Sequence, residues 1–186
     1  MRKRRSLQPR INLLVIIAIN CFGTDGFSQS TNGLKEIYAL NKSVTILTPS
    51  DFSLMNAETL ALKYPSAGHR PSEVYTNERG TINVALNHTQ NKATEANLPD
   101  VKKAMETQFN RAPFTFIKSE LKEMNGSQFV ILEFISPAVD TKIYNLMAIA
   151  SLEGRLVMTT FNCTEAERKE WEPVGKKIIS SITLKK

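Results

Sequence analysis

From residue 44 onward, apolar positions recur with two periods, and each period predicts one kind of element. Residues 44–47, Val-Thr-Ile-Leu, form a β-branched run halted at Pro49 and read as a strand. Ser50 or Asp51 stands where it would cap a helix running to about Leu62. Phe52, Met55, Leu60 and Leu62 fall inside that helix, and Tyr64-Pro65-Ser66-Ala67-Gly68 closes it. A turn at 69–72 leads to a short strand at 73–76, then a loop at 77–80 with Gly80 where positive φ is expected. In the strand at 81–87, Ile82, Val84 and Leu86 share one face. After a polar connector at 90–97, Leu98-Pro99-Asp100 opens a helix, in which Val101, Ala104, Met105, Gln108 and Phe109 make one stripe and which Pro113 closes.

Four strands are expected next, at 114–121, 128–136, 142–151 and 155–162. The turns between them are short, Asn125-Gly126 and Glu153-Gly154 among them, which predicts antiparallel neighbours. Thr164, with Glu167 three residues on, has the form of a capping box. Trp171, Val174, Ile178, Ile179 and Ile182 carry the stripe of a final helix, with Pro173-Val174-Gly175 as a bend. Residues 29–43 are polar, with Leu34, Ile37, Tyr38 and Leu40 at helical spacing, and are expected to form a short helix or an ordered lead-in. The whole pattern is that of one α+β domain over residues 44–186, without repeats or linkers.

The first 28 residues differ in kind. Arg2, Lys3, Arg4, Arg5 and Arg10 precede the apolar run at 13–19, and Gly26 and Ser28 put small side chains before a cut at Gln29. This is the pattern of a secretory signal peptide. The run is too short for a membrane span, which needs about 20 apolar residues. The expected location is therefore the periplasm or the extracellular space, with no stable membrane span after processing. Cys21 offers an alternative, a lipid anchor, although Asn20 stands where a lipoprotein signal normally has a small residue.

Processing changes the charge argument. The chain carries 24 Lys+Arg and 18 Asp+Glu, net +6. Residues 1–28 hold five of the bases and one of the acids, so the remainder has 19 and 17, net +2. The basic balance belongs to the leader and gives no ground for a nucleic-acid partner, which would need a clustered basic face. Cys163 is the one cysteine after Cys21, so the processed chain has no internal disulfide, and about 158 residues must be held by their core.

The closing segment runs Gly154-Arg155-Leu156, Phe161-Asn162-Cys163, Trp171-Glu172-Pro173, then Ile178-Ile179-Ser180-Ser181-Ile182. Together with the order of elements, it resembles the PsbP-like superfamily, which includes the DcrB proteins of bacterial envelopes. The resemblance covers residues 44–184. It implies an antiparallel sheet sandwiched between helices, an αβα arrangement. Members of that superfamily are mostly binding or assembly proteins, and the resemblance brings no shared catalytic set with it.

Candidate chemistry is sparse. A Cys-His nucleophile would need Cys163 within reach of His69 or His88, and nothing local supplies this. Metal-ligand spacings are absent from the sequence, and no cofactor motif is present. Glu165, Glu167, Glu170 and Glu172, with Arg168 and Lys169, read as a solvated helix face. The segment 63–75 differs, because it gathers Tyr64, Tyr75, two prolines, His69 and Arg70 in a loop, and Tyr and Arg are favoured at binding hot spots. The expected function is an exported, non-enzymatic binding or assembly module of the bacterial cell envelope, contacting an envelope protein through Tyr64, Arg70 and Tyr75. Two alternatives are a small-molecule binder or hydrolase with a pocket between sheet and helices near His69, His88 and Cys163, and an immunity-like inhibitor of an exported toxin.

Overall fold

The computed structural model describes residues 33–185. The expected signal peptide at 1–28 and Cys21 lie outside the described residues. In chain order the elements are β1 (Leu34–Ala39), β2 (Val44–Pro49), β3 (Ser53–Leu54), α1 (Ala57–Lys63), β4 (Glu73–Thr76), β5 (Asn83–Lys92), α2 (Leu98–Phe109), β6 (Thr115–Met124), β7 (Ser127–Pro137), β8 (Lys142–Leu152), β9 (Arg155–Thr164), α3 (Arg168–Ser180) and β10 (Thr183–Leu184). Seven strands form one antiparallel sheet in the order β3-β4-β5-β9-β8-β7-β6, and β1-β2-β10 form a second.

The turns of the meander follow from their residues. Asn125-Gly126 joins β6 to β7 and Glu153-Gly154 joins β8 to β9, with φ of 50° and 75° in the first pair and 51° and 74° in the second. Two successive positive φ values are what a tight two-residue hairpin of the right twist requires. Strands β7, β8 and β9 are buried almost throughout because both faces of the large sheet are covered.

Alternation along these strands sends side chains to two cores. The inner face carries Phe129, Ile131, Tyr144, Leu146, Ala148, Val157, Phe161 and Cys163, packed against Ile178, Ile179 and Ile182 of the C-terminal segment and Val44 and Ile46 of the small sheet. The outer face carries Val130, Leu132, Phe134, Met147, Ile149, Leu156 and Met158, covered by Leu98, Val101, Met105 and Phe109 of α2. A smaller cluster of Met55, Tyr64, Val74 and Ala85 continues the outer face under α1. Each fully buried side chain of this size contributes about 1.5–3 kcal/mol of transfer free energy. The architecture is the expected α+β sandwich, with a small sheet added beside α3.

Five local expectations need correction. Residues 34–39 form a strand rather than a helix, because pairing with β2 in register from Leu34↔Pro49 to Ala39↔Val44 overrides their weak helical spacing. The first helix starts at Ala57, not near Ser50. Phe52 is fixed in the inner core, Ser53–Leu54 pairs with β4, and Asn56 caps the helix by accepting from the Thr59 N–H at 2.8 Å. Strand β5 runs on to Lys92 through an irregularity after His88. Thr164 makes no capping bond to the backbone; its hydroxyl donates to the Glu167 carboxylate at 2.7 Å, and one 3-10 turn precedes α3. The final helix ends at Ser180, and Ile182 is buried just beyond it.

Candidate functional site

The loop after α1 is braced from within. Arg70 donates from Nε to the Tyr64 carbonyl at 2.8 Å and from Nη2 to the Pro65 carbonyl at 3.4 Å, which closes the segment 64–70 on itself. Tyr64 does not provide contact area. It is 5% exposed, packed with Met55, Val74 and Ala85, and burial pushes its hydroxyl up to about 12. Tyr75 lies on the opposite face of the sheet, because Val74 and Tyr75 are consecutive strand residues and Val74 faces Tyr64. The three residues therefore do not form one surface. Tyr75 is half-buried; its hydroxyl donates to Glu73 at 3.1 Å, and the other Glu73 oxygen accepts the Leu40 N–H at 2.9 Å. Burial first, and the Glu73 charge second, push the Tyr75 hydroxyl up to about 12. Its register partner on β3 is Leu54, which is 56% exposed.

Cys163, His69 and His88 do not converge. Cys163 is fully buried on the inner face, and burial pushes its thiol up to about 12, with the Glu167 charge adding to the effect. His88 pairs with Val157, six residues along β9 from Cys163, so the two stand roughly 20 Å apart. The His88 ring is held by the Leu152 carbonyl at 3.0 Å and by Arg155 at 3.4 Å. His69 ends the one-turn 3-10 helix Ala67–His69. A shared site of the three residues is thus ruled out by strand geometry. Among the described residues, no three His, Cys, Asp or Glu side chains gather as metal donors.

Two polar arrangements escaped the sequence reading. The first overturns the solvated-face reading of Arg168. Its guanidinium lies over the Tyr144 ring, 4.6 Å from the centroid, and pairs with Glu133 at 3.5 Å, Glu172 at 2.8 Å and Glu165 at 3.7 Å. Glu133 is 8% exposed and accepts the fully buried Tyr144 hydroxyl at 3.0 Å. The group ties β7 and β8 to α3. Its chemistry is that of a fastener, because burial and neighbouring carboxylates hold the Tyr144 hydroxyl far above its ordinary range and so keep it protonated.

The second arrangement is a row of buried asparagines across three neighbouring strands of the outer face, Asn83, Asn162 and Asn145. Asn83 Nδ2 donates to Asn162 Oδ1 at 3.0 Å, and Asn145 Nδ2 donates to the Ser136 hydroxyl at 3.0 Å. Asn83 Oδ1 and Asn162 Nδ2 have no partner among the described residues. Asn162→Ala is expected to cost about 2 kcal/mol, because Asn83 Nδ2 keeps only the Gly80 carbonyl at 3.4 Å. Replacing Asn83 and Asn162 together by valine is expected to recover most of that loss, since both polar partners leave at once. Urea unfolding of the single and double variants measures this, and simple additivity would contradict the coupling.

No protein-family model matches the chain, and no curated protein matches it. Solved structures do. The cyanobacterial PsbP (CyanoP) of Synechocystis sp. PCC 6803 aligns with a TM-score of 0.56 at 13% identity, covering 88% of this chain and 98% of that one. LpqN of Mycobacterium tuberculosis, described as involved in cell envelope biogenesis, aligns with a TM-score of 0.52 at 10% identity, covering 83% and 91%. These likenesses establish the PsbP-like fold.

Proposed function

We propose that the chain is an exported, non-enzymatic binding or assembly module of the bacterial cell envelope. The observation that carries this reading is the exposed Leu54 set opposite the half-buried Tyr75 at the β3–β4 edge, in the strand pair that the Arg70-braced loop leads into. An apolar side chain and an aromatic ring beside a preformed loop make a contact surface with little entropy left to lose on binding. The leader pattern at residues 1–28 and the envelope role of LpqN support the location. Tyr64 and Arg70 enter this reading as the internal support of the loop that leads into β4, and Tyr75 as a member of the surface.

The test is recovery of a partner from the envelope of exporting cells after mild cross-linking, with the N-terminus of the recovered chain read by mass spectrometry. A start near Gln29 and one protein partner are expected. Leu54→Ser, Arg70→Ala and Tyr75→Ser combined are expected to abolish that recovery while the circular dichroism spectrum is kept. Unchanged recovery from a folded triple variant would remove this surface from the proposal. A chain beginning at a lipidated Cys21 would replace the soluble location with an anchored one.

A further inference from the structure

We infer that β6 is a self-pairing edge, at which two copies of this chain join antiparallel about Ser119 and continue the large sheet from one molecule into the next. This inference is independent of the surface at β3 and β4. Among the described residues, strand β6 closes one side of the seven-stranded sheet and pairs only with β7. It is ten residues long, whereas the strand at the other margin, β3, has two. A long edge strand presents unpaired N–H and C=O groups and is a template for another strand unless something blocks it.

Its side chains specify a partner. Ile117 and Leu121 are 40% and 39% exposed, and Lys118 and Glu120 lie between them. In a two-fold antiparallel pair centred on Ser119, residues whose numbers sum to 238 face one another. Lys118 then faces Glu120 of the second copy, twice, and Ile117 of each copy comes to the same end of the paired stretch as Leu121 of the other. Opposite charges and apolar pairs across strands each stabilise a sheet, and like charges destabilise it. Moving the two-fold one residue either way sets Lys118 against Lys118, or Glu120 against Glu120 with Lys118 against Lys122. A two-fold on Leu121 restores one kind of ion pair, Glu120 with Lys122, but lays Ile117 against Asn125 of the turn. The register on Ser119 is therefore the one that pairs Lys118 with Glu120 on both sides and keeps Ile117 and Leu121 of the two copies at the same end.

The edge is also held in place for pairing. The Ser119 hydroxyl donates to Glu106 of α2, which pairs with Lys102 at 2.6 Å, so the helix braces the middle of the strand. In one copy Lys118 and Glu120 pair along the strand at 2.8 Å, so the same two charges already lie on one face. The extra residue at Ile117, where Phe116 and Lys118 pair with consecutive residues of β7, ends the regular ladder on that side. One strand pair makes a small interface, so the equilibrium belongs at high protein concentration.

Sedimentation velocity of the purified chain across a wide concentration range tests this. The expected result is a monomer–dimer equilibrium. Glu120→Lys alone and Leu121→Lys alone are each expected to weaken it at least tenfold, with the thermal midpoint confirming the fold. Lys118→Glu combined with Glu120→Lys is expected to restore the dimer, because each pair is exchanged in place. A chain that stays monomeric at every concentration overturns the inference. So does a dimer indifferent to Glu120→Lys and Leu121→Lys. So does a double exchange that fails to recover, since in the register on Leu121 the Glu120→Lys change would set like charge against Lys122.

Discussion

Gly175→Ala is expected to destabilise the protein by about 3 kcal/mol, although alanine is the better helix former. Gly175 lies inside α3, buried against β9. A Cβ built there would stand 2.5 Å from Phe161 Cε1 and 2.9 Å from Cγ. The Phe161 ring is fully buried in the inner core and has no room to retreat. The helix would have to lift from the sheet, and lifting it would open Ile178 and Ile179 to water and move Arg168 from Glu133. Intrinsic propensity acts the other way, by about 1 kcal/mol, so the sign of the measured change decides whether close packing is the reason for the glycine. Chemical unfolding gives the value. Phe161→Leu in the same chain is expected to recover part of the loss, and the double-mutant cycle should show a coupling of about 1–2 kcal/mol. A Gly175→Ala protein as stable as the parent would mean that α3 sits on the sheet less closely than this.

Gly175 also shows where sequence reading stops. Beside Pro173 it reads as a bend, yet its role is set by a ring fourteen residues earlier, on a strand that period alone places but does not orient. The hairpins at Asn125-Gly126 and Glu153-Gly154 were legible because their requirement is local. The stripe of α2 was legible because Val101, Met105 and Phe109 all meet one core. Strand β1 was not legible, because only Ala39 of its six residues is buried and its conformation comes from β2. Tyr64 carried a readable signal that the loop composition outweighed: it follows Leu60 by four residues and closes the last turn of α1 by donating to the Leu60 carbonyl, which puts it on the stripe that faces the sheet. Arg168 carried none, since its partners Glu133 and Tyr144 lie on strands far from it in sequence. The candidate contact surface was half legible: Tyr75 comes from composition, but the exposed partner Leu54 needs the β3–β4 register, and Arg70 braces the loop instead.

Between pH 9 and 11 the folded state is expected to lose about 2 kcal/mol through Cys163 alone. The thiol titrates from 9.0 in the open chain to about 12 in the fold, because burial on the inner face disfavours the thiolate. Above pH 9 the unfolded chain therefore releases a proton that the folded chain keeps. The unfolded state then binds fewer protons than the native one, so stability falls as pH rises, by about 1.4 kcal/mol per pH unit for one group held fully neutral. Tyr64 adds to the slope above pH 10, since its hydroxyl titrates from 10.0 in the open chain to about 12. Tyr144 acts in the same direction. Tyr75 does so more weakly, because it is half-exposed. The unfolding free energy measured at half-unit steps from pH 8 to 11 should thus bend downward twice, first near 9 and more steeply near 10. Cys163→Ala separates the two contributions: its own packing loss shifts the whole curve, but the first bend should vanish and the second remain. A thiol-specific disulfide reagent gives an independent reading at pH 8, where the native chain should react only at the rate at which it unfolds. Rapid labelling of the folded protein, or a flat curve from pH 9 to 10, would mean that water reaches Cys163 and that the inner core between β9 and α3 is open there.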